Sequence, residues 1–164
     1  AFEGCINWSK IVGRKKVRLD GNFIRIESFA NDDEKMSAVS LPLMAGGPIS
    51  VTDMPTGNNL KFFQNEELLA LQKDGFVGQP LERNFWNANG EIWYGQMSDG
   101  SWIIGLFNRE QTPATRSLEL QKIGLNGNWN TRDLWTHADE GVINGKVEVI
   151  VPAHGCKIIK LTKK

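Results

Sequence analysis

"EIWYGQMSDGSWIIGLFN", residues 91–108, reads as two strands and the turn that joins them. The runs 91–97 and 101–108 are rich in aromatic and β-branched residues, which suit a half-buried pleated surface. Ser98-Asp99-Gly100 separates them, and Asp-Gly supplies the positive φ that a tight hairpin turn needs. Alternation then assigns faces. Trp93 and Tyr94 are neighbours and must point to opposite sides, whereas Trp102, Ile104 and Leu106 share one, which places Trp102 in a core.

Toward the C-terminus four more β-rich runs follow: 116–121, 129–135, 146–151 and 156–162. Turn signals part them at Gln111-Thr112-Pro113, Asn126-Gly127-Asn128, Asn144-Gly145 and His154-Gly155. Short strands at this spacing imply an antiparallel sandwich or small barrel over residues 81–164. Within it, Trp129 and Trp135 bracket one strand and are expected on the same side.

Residues 1–80 follow a different grammar. "LMAGGPISVTD" (43–53) enters an apolar run through Gly46, Gly47 and Pro48 and finishes on Asp53, as a strand at 48–53 buried on both faces would. Before it, "EKMSAVSLPLM" (34–44) predicts a helix, with Asn31, Asp32 and Asp33 as cap candidates and Pro42 expected to kink or end it early. After it come a turn at "TGNN" (56–59) and a helix over 60–75, in one or two pieces, with Asn65-Glu66-Glu67 as a second N-cap signature and Gly75 as its stop. Helix, buried strand, helix is the order along a parallel β/α sheet. "LERNFWNANG" (81–90) is the expected junction, and the chain as a whole is expected to be mainly β.

Lysine plus arginine and aspartate plus glutamate number 19 each, so charge points neither to nucleic acid nor to an anionic membrane. No apolar run reaches the ~18 residues of a membrane span, and the first ten residues carry no signal-peptide pattern. Cys5 and Cys156 could pair only if the ends of the chain meet; otherwise they are two thiols. Metal ligation is not expected, because no Cys-x-x-Cys or His-x-x-x-His occurs beside His154, Cys156 and "WTHADE" (135–140). A serine elbow, Gly-x-Ser-x-Gly, is also missing, and no cofactor motif is present.

Two residue types remain. Six tryptophans could stack sugar rings, with Trp86 and Trp93 as candidates against core packing. Carboxylates could cleave them, since glycoside hydrolysis uses two, about 5–9.5 Å apart. Asp53 ends the strand as active-site groups end barrel strands, Asp32 and Asp33 follow Arg25, and an arginine near a carboxylate could hold a hydroxyl-bearing substrate. The competing readings are a cap on a turn for Asp53 and a helix cap for Asp32 and Asp33.

"MAGGPISVTD", "LKFFQNEELLALQKDGFVGQPL" and "IWYGQMSDGSWIIGLFNRE", in that order, resemble the C-terminal part of glycoside hydrolase family 27, the α-galactosidase and isomaltodextranase group. The features that carry the resemblance are Met44-Ala45, Thr52-Asp53, Gln64-Asn65-Glu66-Glu67, Asp74 and Gly78, then "LFNR" (106–109), "RDLW" (132–135) and "VPAHG" (151–155). It implies the last β/α unit of a (β/α)8 barrel in residues 1–80, then an antiparallel β-sandwich in 81–164. It also implies a retaining α-glycosidase as the parent, a carbohydrate substrate, and action outside the cell or in the periplasm.

The family's nucleophile is an aspartate on the fourth barrel strand, which nothing upstream of residue 34 supplies. Its acid/base aspartate follows an arginine by four residues; four after Arg25 stands Phe29, so Asp32 or Asp33 fits only with a longer loop. A barrel takes about 250 residues. The expectation is therefore a catalytically inactive, structural section that needs the missing barrel portion or associates with itself. A carbohydrate-binding or accessory module without catalysis is the alternative.

Overall fold

The computed structural model describes residues 1–54, 57–84 and 86–164. Thr56 of the expected turn and Phe85 of the expected junction lie outside the described residues. In chain order the elements are α1 (Phe2–Trp8), β1 (Phe23–Ile24), α2 (Asp32–Met44), β2 (Ser50–Val51), α3 (Leu60–Phe63), α4 (Glu66–Asp74) and β3 (Gln79–Pro80). Then come β4 (Ile92–Gln96), β5 (Trp102–Phe107), β6 (Ala114–Glu119), β7 (Asn128–Asp133), β8 (Ala138–Asn144), β9 (Lys146–Val151) and β10 (Cys156–Lys163).

The chain is mainly β, with an antiparallel sandwich behind a small α/β part. One leaf has six strands in the order β3-β4-β5-β10-β7-β8, and the other is the β6–β9 pair. Ile104, Leu106, Leu118, Val147 and Leu161 fill the space between the leaves. The other face of the large leaf carries Trp93, Ile103, Phe107 and Ile158, and on it sit α1, α2 and α4 with Cys5, Ile6, Val39, Leu43 and Leu71. β1 and β2 form a parallel pair, Phe23 opposite Ser50 and Ile24 opposite Val51, with α2 as the crossover between them.

The expected hairpin forms at 98–100. Met97 N–H donates to Ser101 C=O at 2.9 Å, and Gly100 sits at φ 86°. Trp93 and Tyr94 do face opposite sides, and Trp102 packs between the leaves. Trp129 and Trp135 do not share a side. β7 ends at Asp133 and the chain turns there, so Trp129 packs between the leaves while Trp135 joins the helix side. The eighth strand, "ADEGVIN", escaped sequence reading because it is an almost wholly exposed edge strand without an apolar face.

Two expectations about the first half change. The helix is not ended early by Pro42 but runs to Met44, since the proline stands in its last turn. The buried strand shrinks to Ser50–Val51, and Val51 is 43% exposed, because among the described residues β1 is its one partner in the sheet. The glycines that seemed to introduce a strand instead close the helix. Gly46, at φ 79°, donates its N–H to Leu43 C=O at 3.1 Å, and Gly47 N–H reaches Pro42 C=O at 2.8 Å. This is the paired bond of a Schellman cap, which calls for a left-handed residue at the first of the two positions. The 60–75 helix does come in two pieces, with Asn65 Oδ1 accepting Leu68 N–H at 3.1 Å and Gly75 stopping α4 at φ 71°.

Gly46 and Gly145 both stand at φ 79°, but a Cβ on Gly46 would lie 2.6 Å from Val77 Cγ2, whereas Gly145 opens on empty space. Gly145→Ala is therefore expected to cost about 1 kcal/mol and Gly46→Ala about 3 kcal/mol, read from urea denaturation midpoints. The hairpin makes a second prediction. Asp99 is held down to about 2, first by the Ser101 hydroxyl, then by the Ser101 amide and Lys160. A depressed carboxylate stabilises above its ordinary value of 3.8 and stops doing so as pH falls through about 2. The difference in stability between the native chain and Asp99→Asn should thus shrink across that interval, measured by thermal melts at stepped pH.

Candidate functional site

In a parallel β/α sheet, ligand-binding groups sit beyond the carboxyl ends of the strands. At the ends of β1 and β2 stand Arg25, Glu27 and Asp53. Asp53 turns back on its neighbour: Oδ2 accepts Ile26 N–H at 2.7 Å and Oδ1 accepts Glu27 N–H at 3.1 Å. The carboxylate thereby caps the short 3-10 turn Ile26–Ser28 from the adjacent strand. It is a clasp across the parallel pair, holding the backbone that carries Arg25. Arg25 itself is exposed, and the Ser28 hydroxyl bonds to its carbonyl at 2.7 Å.

Asp32 and Asp33 belong to the next element along the chain. Both lie in the first turn of α2, and the cap is Asn31, whose side chain accepts Glu34 N–H at 3.0 Å. Lys61 binds Asp32 at 2.6 Å and, with Lys35, holds its carboxyl below the usual carboxylate range.

The tryptophan candidates part company. Trp93 is wholly buried with its indole N–H on Gly90 C=O at 3.0 Å, so it offers no face to a sugar. Trp86 is 88% exposed. The "WTHADE" groups are taken up by partners: His137 Nδ1 lies 2.8 Å from a Glu67 oxygen, and ion pairs join Asp139 to Arg132 at 3.0 Å and Glu140 to Lys157 at 2.5 Å. Cys5 and Cys156 are free and buried, and burial pushes Cys156 up to about 11, which makes it an inert thiol.

The densest polar cluster was not singled out from sequence. Glu91, 3% exposed, binds Arg109 Nε at 2.6 Å and Arg116 Nε at 2.8 Å. Arg116 continues to Asn108 Oδ1 and Glu110 at 3.0 Å each. Asn108 in turn donates to the carbonyls of Thr112, Val151 and Pro152. A glutamate and two arginines scattered over 91–116 look like ordinary surface charges in a sequence. The one signal was "LFNR", whose Asn108 and Arg109 both enter this knot.

The fold and its ends now define a class. Residues 87–161 match the family described as the alpha galactosidase C-terminal beta sandwich domain. The whole chain is similar, in sequence and in structure, to the C-terminal part of glycoside hydrolase family 27 proteins. Isomalto-dextranase of Arthrobacter globiformis is 36% identical over 172 residues, covering 98% of this chain and 27% of that protein. Its solved structure, complexed with panose, superposes with a TM-score of 0.89 at 33% identity over 99% of this chain and 29% of that one. Alpha-galactosidase 3 of Arabidopsis thaliana is 32% identical over 126 residues, 74% of this chain and 28% of its own length. The chain thus spans less than a third of these relatives.

Two variants separate the clasp from the knot. Asp53→Ala should speed amide exchange at Ile26 and Glu27 while leaving the sandwich strands protected, a local loss of about 2 kcal/mol. Glu91→Ala removes the buried carboxylate shared by Arg116, which is buried, and Arg109, which is half-buried, and should lower global stability by about 3 kcal/mol in denaturant titrations.

Proposed function

We propose that this chain is the C-terminal section of a retaining α-glycosidase of the α-galactosidase kind, in which residues 1–80 finish a (β/α)8 barrel and the sandwich braces it. In that reading the nucleophile lies on barrel strands outside these residues, and the chain by itself hydrolyses nothing. The observation that carries the reading is the parallel pair β1–β2 joined through α2, a β/α unit that shares one core with the sandwich.

Two further features support it. Phe23 and Val51 on the pair, Met54 just beyond it, and Trp8, Ile11 and Val17 earlier in the chain are exposed large apolar side chains, as expected where further strands and helices pack. Beside them a cleft of about 590 Å³ opens along α2, lined by Phe2, Phe23, Ile24, Phe29, Leu41 and Pro42 among others. Glu3, Glu34, Asn108, Arg109 and His154 also line it, but the lining is mostly apolar, which suits a preceding β/α unit better than a sugar. The accessory-module alternative loses the Trp93 face to burial.

The test is an assay of the purified chain on aryl α-galactosides and aryl α-glucosides, with the intact mass of the native product measured alongside. No turnover and a native product several hundred residues longer are expected. Turnover by the 164-residue chain would overturn the proposal.

A further inference from the structure

A second cleft, of about 370 Å³, lies on the seam between the helices and the sandwich. Its walls come from the first turns of α2 (Asp32, Met36), from α3 and the link to α4 (Lys61, Phe62, Gln64) and from the turn after β7 (Trp135, His137). We propose that this cleft binds one pyranose ring, as a sugar site separate from the rim that holds Asp53.

The floor is aromatic and fixed. Trp135 is half-buried, and its indole N–H donates to Ser40 Oγ at 2.9 Å, which anchors the ring from behind. Phe62, 3% exposed, meets it edge-on with centroids 6.2 Å apart and carries the Lys61 ammonium 4.9 Å from its own centroid, so Phe62 backs the floor and Trp135 is its accessible part. An indole held in one rotamer can meet a ligand without the entropic cost of ordering it on binding.

Polar groups of both signs surround this floor. Asp32 and Lys61 form an ion pair at 2.6 Å, yet their side chains stay 55% and 59% exposed, so oxygen and ammonium edges both remain open to solvent. Gln64 is exposed and brings an amide that donates and accepts. His137 is the most informative member. It holds φ 59°, a left-handed backbone that non-glycine residues seldom adopt and that costs free energy. Its Nδ1 lies 2.8 Å from Glu67, and Glu67 is itself gripped by Arg132 at 2.8 and 2.9 Å. The imidazole is thus fixed through one nitrogen, with Nε2 on its other edge.

That combination selects a ligand class. The ion pair leaves the mouth close to neutral, which favours neither an anion nor a cation. A carboxylate, an ammonium, an amide and an imidazole around a small aromatic floor match adjacent hydroxyl groups, each of which both donates and accepts. The volume falls in the range of small-molecule sites and suits one ring better than a chain. The class is read from the cleft itself and stands whether or not the barrel reading does.

The experiment is a titration of the ¹⁵N-labelled full chain with glucose, galactose and isomaltose, followed by two-dimensional amide spectra. Saturable shifts at the Trp135 indole N–H and at the amides of residues 61–64, with a dissociation constant on the order of 1 mM, are expected for at least one sugar. His137→Asn keeps a residue that tolerates the left-handed backbone but removes the ring, and Gln64→Ala removes the amide from an exposed position. Each should weaken binding about tenfold while the rest of the spectrum stays in place. Silence with all three sugars, shifts centred on Trp86, or binding that survives both substitutions unchanged would overturn the proposal. The result is independent of whether the chain hydrolyses any glycoside.

Discussion

Burial of one face of the six-stranded sheet against α2 is the contact on which both parts of the chain depend. Trp93, Ile103, Phe107 and Ile158 would otherwise lie open to water on the side away from β6 and β9. Covering apolar surface contributes about 25 cal/mol per Å², so a sheet face of this size is stable only with a lid. α2 is that lid, and it is also the crossover of the parallel pair. From Val39 to Met44 every residue of it is buried, because the large sheet, through β10 and β5, and α4 pack against the helix. Even Ser40 is inside, where it accepts the Trp135 indole N–H. The fold therefore does not divide cleanly into a barrel remnant and a sandwich, for the largest core runs through both.

What could be read from sequence follows from this arrangement. The hairpin at 98–100 and the strands beside it were legible because one face of each is apolar and the turn chemistry is local. β8 was not, since an exposed edge strand needs no apolar face. The run 43–53 misled for the same kind of reason. Helix α2 is buried all round near its end, so its last turn and the two glycines read as the approach to a buried strand. A Schellman cap and a strand entry use the same residues, and long-range burial decides between them. Trp135 was assigned by a period of two that stops at Asp133, where the chain leaves the sheet.

The site residues were harder to read, because charge in a sequence does not say whether it is buried. Glu91 and Arg116 are buried partners, whereas Asp32 and Asp33, which looked like chemistry, begin a helix. The motifs behind the family resemblance show the same pattern. Asp74 accepts Arg14 at 2.5 Å and Ser98 N–H at 3.0 Å, joining the end of α4 to the sandwich hairpin. Gly78 is held so close to Met44 C=O that a Cβ would sit 2.5 Å from it. Asn108 ties three carbonyls together, and Asp133, 3% exposed, caps the turn to Trp135 and Thr136 while binding Lys157. These motif residues mark how the chain is braced, which is why a firm resemblance came without a firm catalytic residue.

Bracing also bears on the parallel pair itself. Two strands of two residues have too few ladder bonds to stand alone. They are held from below by α2 and from their carboxyl end by the Asp53 clasp on Ile26 and Glu27. The elements that flank them are pinned to the sandwich in turn: Ser37 Oγ donates to His154 C=O at 2.8 Å, Asn65 Nδ2 to Leu134 C=O at 2.8 Å, and Arg132 grips Glu67. Asn65 caps α4 with its other atom, so a single side chain both starts that helix and docks it. A rim built this way keeps its shape because the load passes through helices to a rigid sheet, with no dependence on the short strands. Rigid support at a distance protects positioned groups against small displacements, which are costly wherever such groups must meet a ligand in one geometry.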